Sequence, residues 1–438
     1  MKKIKSIMIV MLLITMMFNV FPIVFPAVSA HPDWKEELDW LAADVNYDGK
    51  VNMKDIYFII LWFGEYCPDA DVNCDTKVNM KDIYEAILHF GKHTNEITIV
   101  DSAGRTVTIP YPLKNMCITN PPSAEIVRAL EYTPGDRRNL VIGVSGTIKN
   151  RPDYWPILSQ ATQICDYAHS KDLYYEVVIA LNPSAVFVYG THRAVDVDHI
   201  QENLPGIPVV GIDCYKYDTL YNDIELWGII LGRRCKVAEI RNLFENILGM
   251  VAERTADIPE EDKVRIYAEH HARNWLAAAK FSEWTKMIEM AGAKNIFGHI
   301  PGGYTEVDCE AVYYADPQVI LKDTRLGLGW PMGYNKTDEE VINNMLSAWN
   351  AEHKEDCGEI PWDDISAVKN GKIYAISQDL ASGPEKIYLV LYIAKICYPE
   401  RFTDIDPDEY LRDWIRDYQH VPCDAIPDPC GIFIYPHV

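Results

Sequence analysis

Six short apolar runs, at 115–119, 141–144, 185–189, 209–212, 264–268 and 319–321, alternate with helical stretches and are interrupted once by a long helical segment. Between the fourth and fifth runs, Ile240, Leu243, Ile247, Leu248 and Val251 repeat at the spacing of one apolar helix face. Strand–helix alternation builds mostly parallel sheets covered by helices. The pattern therefore predicts an α/β fold of two lobes joined by one long helix. A hairpin, 97–100 with 106–110 around Ser102-Ala103-Gly104, leads into the first lobe. The expected boundaries are 96–218 for the first lobe, 219–256 for linking helices, 257–420 for the second lobe and 421–438 for a tail.

Lys2, Lys3 and Lys5 precede an apolar run over 7–28 that ends in Val28-Ser29-Ala30, the layout of a signal peptide over 1–30. An uncleaved anchor is the alternative. No cysteine follows the cleavage point, so no lipid anchor is signalled, and the mature chain is expected to be secreted and extracellular. The full sequence sets 41 Lys+Arg against 64 Asp+Glu, a net charge of -23. Such a surface repels phosphate, which excludes nucleic acid as a partner. Of the 11 cysteines, Cys67 with Cys74 and Cys423 with Cys430 are close enough in sequence to pair locally. Cys117, Cys165 and Cys214 sit on or beside strand-like runs and read as buried free thiols.

Residues 44–55 and 71–82 are near copies, each running into a short helical pattern. Oxygen ligands fall at positions 1, 3, 5, 9 and 12, with a main-chain carbonyl at position 7. These are Asp44, Asn46, Asp48, Lys50, Asn52 and Asp55 in one copy, and Asp71, Asn73, Asp75, Lys77, Asn79 and Asp82 in the other. That spacing wraps hard oxygens around a Ca²⁺ ion, giving two calcium sites. Gly49 suits the sharp turn at position 6; Thr76 does not, so the second loop is expected to be strained.

The duplicated loop–helix with Asp at position 12 resembles the dockerin family. The resemblance covers roughly 38–92 and implies a small all-α, duplicated EF-hand-type module over 31–95 that plugs into a cohesin domain on another protein. Because no lipid-anchor cysteine is signalled, this module is expected to be the tether that keeps the chain associated with the cell surface. Positions 10 and 11 are Met-Lys in both copies, which leaves the cohesin partner open. Met53 and Met80 could instead pack in the core.

The larger region resembles another family through Asp101-Ser102-Ala103-Gly104-Arg105-Thr106-Val107-Thr108-Ile109-Pro110, Ala180-Leu181-Asn182-Pro183-Ser184, Ala291-Gly292-Ala293-Lys294-Asn295-Ile296 and Ala367-Val368-Lys369-Asn370-Gly371-Lys372-Ile373-Tyr374. It is similar to the helix-linked (class III) substrate-binding proteins of ABC importers for ferric siderophores, haem and cobalamin. The resemblance implies two Rossmann-like lobes, a ligand cleft between them, an ABC permease as partner and no enzymatic activity. It also implies one exposed glutamate per lobe that docks on the permease, here Glu176 and Glu310.

Ligands of open α/β sheets sit beyond the carboxyl ends of the strands. The residues there are Tyr189, His192, Arg193, Tyr215, His270, His271, Arg273, Trp275, Arg325 and nearby Tyr304 and Trp330. Three arginines and three histidines in an acidic chain suit an anionic, partly apolar ligand: an iron chelate, haem or a corrinoid. His270 and His271 could instead bind iron directly, which needs a loop there, because adjacent strand residues point to opposite faces. Dockerins often accompany polysaccharide hydrolases, so an extracellular hydrolase is one alternative, and a surface scaffold or adhesin another. The chain has no Gly-x-Ser-x-Gly, His-Glu-x-x-His or Walker motif.

Overall fold

The computed structural model describes residues 34–131, 140–423 and 430–438; the expected signal segment 1–30 lies outside them. The chain divides into two compact units. In the first, which ends at Glu37, the described part is one short helix, α1 (Trp34–Glu37). The second runs from Leu38 to Val438. None of the helices among the described residues is long and apolar enough to cross a membrane.

The duplicated segments fold into matching loop–helix units, with helices α2 (Met53–Leu61) and α3 (Met80–Leu88). Asn52 and Asn79 cap them, and Asp55 and Asp82 answer with side-chain bonds to the cap backbone, so the last loop residue also starts the helix. Ile56 and Ile59, with Ile83 and Ala86, face inward. Met53 and Met80 are 62% and 63% exposed rather than packed in the core. Both precede the buried turn, on the outer face with Tyr57, Leu61, Tyr84 and Leu88. Thr76 has φ of +68°, the left-handed strain expected at a β-branched residue standing where the first copy has Gly49 at +80°.

In the first lobe a β1 (Glu96–Val100)–β2 (Thr106–Pro110) hairpin precedes β3 (Met116–Ile118), helix α4 (Pro121–Glu131), β4 (Val141–Ser145), β5 (Thr162–Cys165), helix α5 (Tyr175–Leu181), β6 (Ala185–Val188) and β7 (Val209–Gly211). The sheet is parallel throughout, in the order β5-β4-β3-β6-β7. The chain starts at the middle strand and winds outward both ways, which opens a crevice between β3 and β6 at their carboxyl ends.

Helices α6 (Leu220–Leu231) and α7 (Arg234–Thr255) link the lobes. The second lobe is built on β8 (Arg265–Glu269), β9 (Leu276–Ala278), helix α8 (Glu283–Met290), β10 (Lys294–Asn295), β11 (Tyr304–Glu306), helix α9 (Cys309–Ala315), β12 (Val319–Thr324), β13 (Gly333–Tyr334), β14 (Ile373–Ser377) and helix α10 (Lys386–Cys397). Its sheet is mixed, β11-β9-β8-β12-β14 and then β16 (Ile434–Tyr435), with β10 beside β8. The segment expected as a tail instead supplies β15 (Gly431–Ile432), paired with β13, and the edge strand β16. Helix α10 is apolar on nearly every face and buried against α7, so the linking helix cannot pivot freely.

The repeat module is fastened to this linker. Tyr47, position 4 of the first loop, donates its hydroxyl to the Ile230 carbonyl and fills the space that a side chain at Gly232 would need. Cys74, position 4 of the second, is disulfide-bonded to Cys235 at the start of α7. Arg233 and Arg234 add ion pairs to Asp69 at 3.0 Å and Asp39 at 2.9 Å. The expected Cys67–Cys74 pair is therefore not formed, and Cys67 is free. The Cys423–Cys430 bridge is present, as is Cys309–Cys357; Cys117, Cys165 and Cys214 are free and buried.

The lobes meet at a buried acidic pair, Glu125 on α4 and Glu385 just before α10. Burial, then mutual proximity, drives the Glu125 carboxyl far up; burial also raises Glu385. One proton shared between them is the stable state. Glu385 accepts from Trp414 Nε1 at 2.8 Å and Tyr154 at 3.4 Å. A raised folded-state value stabilises below the unfolded value and is lost as pH rises. Glu385→Gln is therefore expected to raise the thermal midpoint at pH 8 and to change it little at pH 5. Calorimetry at the two pH values checks this, and an equal change at both would contradict the shared proton. The double variant Cys74→Ser/Cys235→Ser is expected to lose about 2–4 kcal/mol in denaturant melts, because the crosslink closes a long loop.

Candidate functional site

The carboxyl ends of both sheets converge on one cleft. In the first lobe Asp213, after β7, accepts from Gly190 N at 2.8 Å and Thr191 N at 3.1 Å. This bends the chain after β6 and presents Tyr189, His192 and Arg193. The Tyr189 ring packs 5.3 Å from His192 and 5.4 Å from Tyr215. His169, after β5, joins them 5.4 Å from His192. Burial, then neighbouring positive charge, lowers His169 (from Arg325) and His192 (from His169 and Arg193), so both rings are held neutral. Arg325 belongs to the second lobe and His169 to the first, so a charge of one lobe acts on a ring of the other.

In the second lobe the turn after β8 carries His270 and His271 with ring centroids 4.0 Å apart. Burial, then His271, pushes His270 down to about 4. The Tyr304 ring on β11 lies tilted against that of His270, centroids 4.3 Å apart. His271 Nδ1 lies 2.7 Å from Asp323 Oδ2. Asp323 is buried, and its other oxygen has no hydrogen-bond partner among the described residues. His270, His271 and Asp323 each offer one ligand atom within 4.8 Å of the others. The chain leaves the strand here, so the loop needed for adjacent histidines to approach one ion is present.

That loop is held from beneath by Glu269, which is 1% exposed. Its carboxylate accepts from Lys322 Nζ at 2.9 Å, Trp349 Nε1 at 2.8 Å, His353 Nε2 at 2.8 Å, Tyr267 at 2.8 Å and Trp275 N at 3.0 Å. Lys322 also donates to the His270 carbonyl at 3.1 Å. Burial alone would raise Glu269, but the His353 bond and the Lys322 charge win and hold it at about 2.

Three residues expected in the cleft lie elsewhere. Trp275, at φ of +60°, turns inward, packs its ring tilted against His353 and donates to Asp356, because Glu269 captures its main-chain N–H. Trp330 packs against the same core. Arg273 is 59% exposed and pairs with Glu306 at the rim. Glu176 and Glu310 are exposed in the first turns of α5 and α9. Those helices end alike, in left-handed Asn182 and Asp316 followed by proline and a strand, so the two glutamates hold like positions in the two lobes. His169 and Asp323 were missing from the sequence-derived set. His169 follows β5, a short strand whose polar start hid it, and Asp323 lies inside a strand that runs three residues longer than its apolar run.

The repeat loops form a second centre. Asp44, Asp55, Asp71 and Asp82 are buried carboxylates, each accepting main-chain N–H bonds from its own loop. Burial raises Asp44 to about 6. Asn46 Oδ1, Asp48 Oδ1 and Asp75 Oδ1 are buried without hydrogen-bond partners among the described residues, oxygens of the kind a hard cation takes.

Residues 118–380 match the model of the periplasmic binding protein family, more than half of the chain. The protein belongs to that family. Among its relatives is the molybdate-binding protein MolA of Haemophilus influenzae, 23% identical over 348 residues, covering 73% of this chain and 90% of MolA. Another is an uncharacterised ABC transporter substrate-binding lipoprotein, YvrC, of Bacillus subtilis, 23% identical over 70% of this chain and 87% of YvrC. Its fold is similar to that of the TroA-like periplasmic binding protein FepB from Veillonella parvula, with a TM-score of 0.62 and 22% identity over 78% of this chain and 99% of FepB. The chain is thus an ABC-transporter solute-binding protein and not an enzyme.

Removing the charge under the histidine loop tests its support. Glu269→Gln leaves Lys322 and His353 without their anion and is expected to cost about 3–5 kcal/mol in urea melts. A folded-state value held below the unfolded 4.5 stabilises above it, so wild type should lose this contribution as pH falls from about 4.5 to about 2. The variant should show a flatter acid limb, and identical limbs would contradict the assignment.

Proposed function

We propose that the protein captures an anionic metal chelate outside the cell and delivers it to an ABC permease. One observation carries the reading: a buried carboxylate with an orphaned oxygen, Asp323, bonded to His271, whose ring lies 4.0 Å from that of His270, itself within reach of the Arg193 charge of the other lobe. Imidazole and carboxylate suit the metal, and arginine suits the acidic groups of its chelator. Tyr189, Tyr215 and Tyr304 supply the apolar walls. An iron chelate fits this set, and haem or a corrinoid shares its anionic, partly apolar character. The kinship with a molybdate-binding protein supports an anionic cargo. Glu176 and Glu310, exposed at like positions on the two lobes, fit as the permease contacts.

The repeat module is read as a dockerin-like tether holding two Ca²⁺ ions, with the ions bound by the carboxylates and carbonyls of residues 44–55 and 71–82. The orphaned loop oxygens support the ions. The exposed apolar residues at identical positions of α2 and α3 support a cohesin-type partner that keeps the protein at the cell surface.

Titration calorimetry with ferric citrate, haem, cyanocobalamin and molybdate tests the cargo. Ferric citrate is expected to bind, with Arg193→Ala weaker by about tenfold, the worth of one hydrogen bond to a charged group. Binding of none of the four would contradict the reading and favour a scaffold. For the module, two Ca²⁺ per chain are expected. A chelator should lower the melting temperature of the whole unit, because Tyr47 and Cys74 tie the loops to the linker. One melting transition indifferent to the chelator would refute both sites.

A further inference from the structure

We infer that His192 and His270, one from each lobe, donate Nε2–H bonds to anionic oxygens of the cargo, while His271 alone among these three offers its metal a nitrogen lone pair. The inference rests on the chelate reading and sharpens it. The Ala194 main-chain N lies 3.2 Å from His192 Nδ1, and the Ala272 N lies 3.1 Å from His270 Nδ1. A main-chain N–H only donates, so both Nδ1 atoms accept. In a neutral ring the hydrogen then sits on Nε2. Neither Nε2 has a hydrogen-bond partner among the described residues.

His271 is wired the other way. Its Nδ1 faces Asp323 Oδ2 at 2.7 Å, and a carboxylate only accepts. Nδ1 therefore carries the hydrogen, and in the neutral ring Nε2 holds the lone pair. A carboxylate behind a ligating imidazole also fixes the ring and raises its basicity.

The same turn, histidine–x–alanine with the third residue's N–H closing on the first residue's Nδ1, follows a strand in both lobes: His192-Arg193-Ala194 after β6 and His270-His271-Ala272 after β8. The adjacent histidines are therefore not a matched pair of metal ligands, although they are close enough to look like one. Of these three histidines only His271 offers the metal a nitrogen, beside the orphaned oxygen of Asp323. A bare transition-metal cation needs more ligands than that. A fully saturated complex has no place for His271. The cargo that fits is an incompletely saturated complex: a metal keeping its own anionic oxygens, with one or two open positions. Two neutral donors and Arg193 grip the oxygens, and His271 completes the metal.

Glutamine separates the roles, since its amide donates a hydrogen bond where Nε2–H would be but is a poor transition-metal ligand. The full chain and its variants would be titrated with ferric citrate and with molybdate, an oxyanion probe with no open metal position. His192→Ala and His270→Ala are each expected to weaken ferric citrate about tenfold, and glutamine at either position to recover most of that loss. His271→Gln should weaken ferric citrate far more than molybdate. Glutamine as damaging as alanine at 192 and 270, or His271→Gln weakening both probes alike, would overturn the assignment. Long-range ¹H–¹⁵N correlations of imidazole-labelled protein read the tautomers without any ligand. They should show Nε2–H at His192 and His270 and Nδ1–H at His271; the reverse pattern would refute the inference. Wild type that binds neither probe would instead contradict the chelate reading, and the tautomer measurement would still decide the ring assignments.

Discussion

Glu269 carries a negative charge into the core of the second lobe, and five donors converge on it. A buried carboxylate survives only when its oxygens are satisfied and an opposite charge lies close. Both conditions hold, through Lys322 and the ring of His353. The histidine loop is built on the result. Lys322 reaches on to the His270 carbonyl, and Glu269 takes the Trp275 N–H, so both ends of the 270–275 turn hang from one ion pair. The direction of each imidazole is then set by short main-chain and carboxylate bonds. A cleft whose polar groups are aimed before cargo arrives spends little free energy on ordering them.

A second constraint acts on the lobes. The linker α7 packs against α10, which is buried on nearly every face, and the lobes meet at the protonated Glu125–Glu385 pair. The repeat module adds a third layer. It grips the α6–α7 corner through the fourth residue of each loop, one by an aromatic ring and one by a disulfide. Whatever orders those loops also orders the linker. A calcium-dependent tether would therefore be mechanically continuous with the receptor rather than hung from it by a flexible strand.

Much of this was legible in the chain. The alternation of apolar runs gave two lobes, and the apolar face through Ile240, Ile247 and Val251 gave the linking helix. The loop spacing placed the buried carboxylates, and Thr76 adopts the strain expected of it. What escaped had physical reasons. Strands β5, β9, β11 and β16 are short or lie at sheet edges, where no long apolar run is needed. The Cys74–Cys235 bridge joins residues 161 apart, which local spacing cannot reveal. Trp275 follows a strand like a cleft residue, but a positive φ turns it into the core. The roles of the histidines depend on partners at Ala194, Ala272 and Asp323, so composition alone made them look equivalent.

In this proposal a metal complex sits between the lobes with its metal on His271 and its acidic oxygens toward His192, His270 and Arg193. Anomalous diffraction at the iron edge, from crystals grown with ferric citrate, would locate the metal. One strong peak is expected at ligand distance from His271 Nε2, with chelator density reaching the first lobe. A peak away from His271, or a cleft with no anomalous density in crystals grown at saturating ferric citrate, would contradict the proposal.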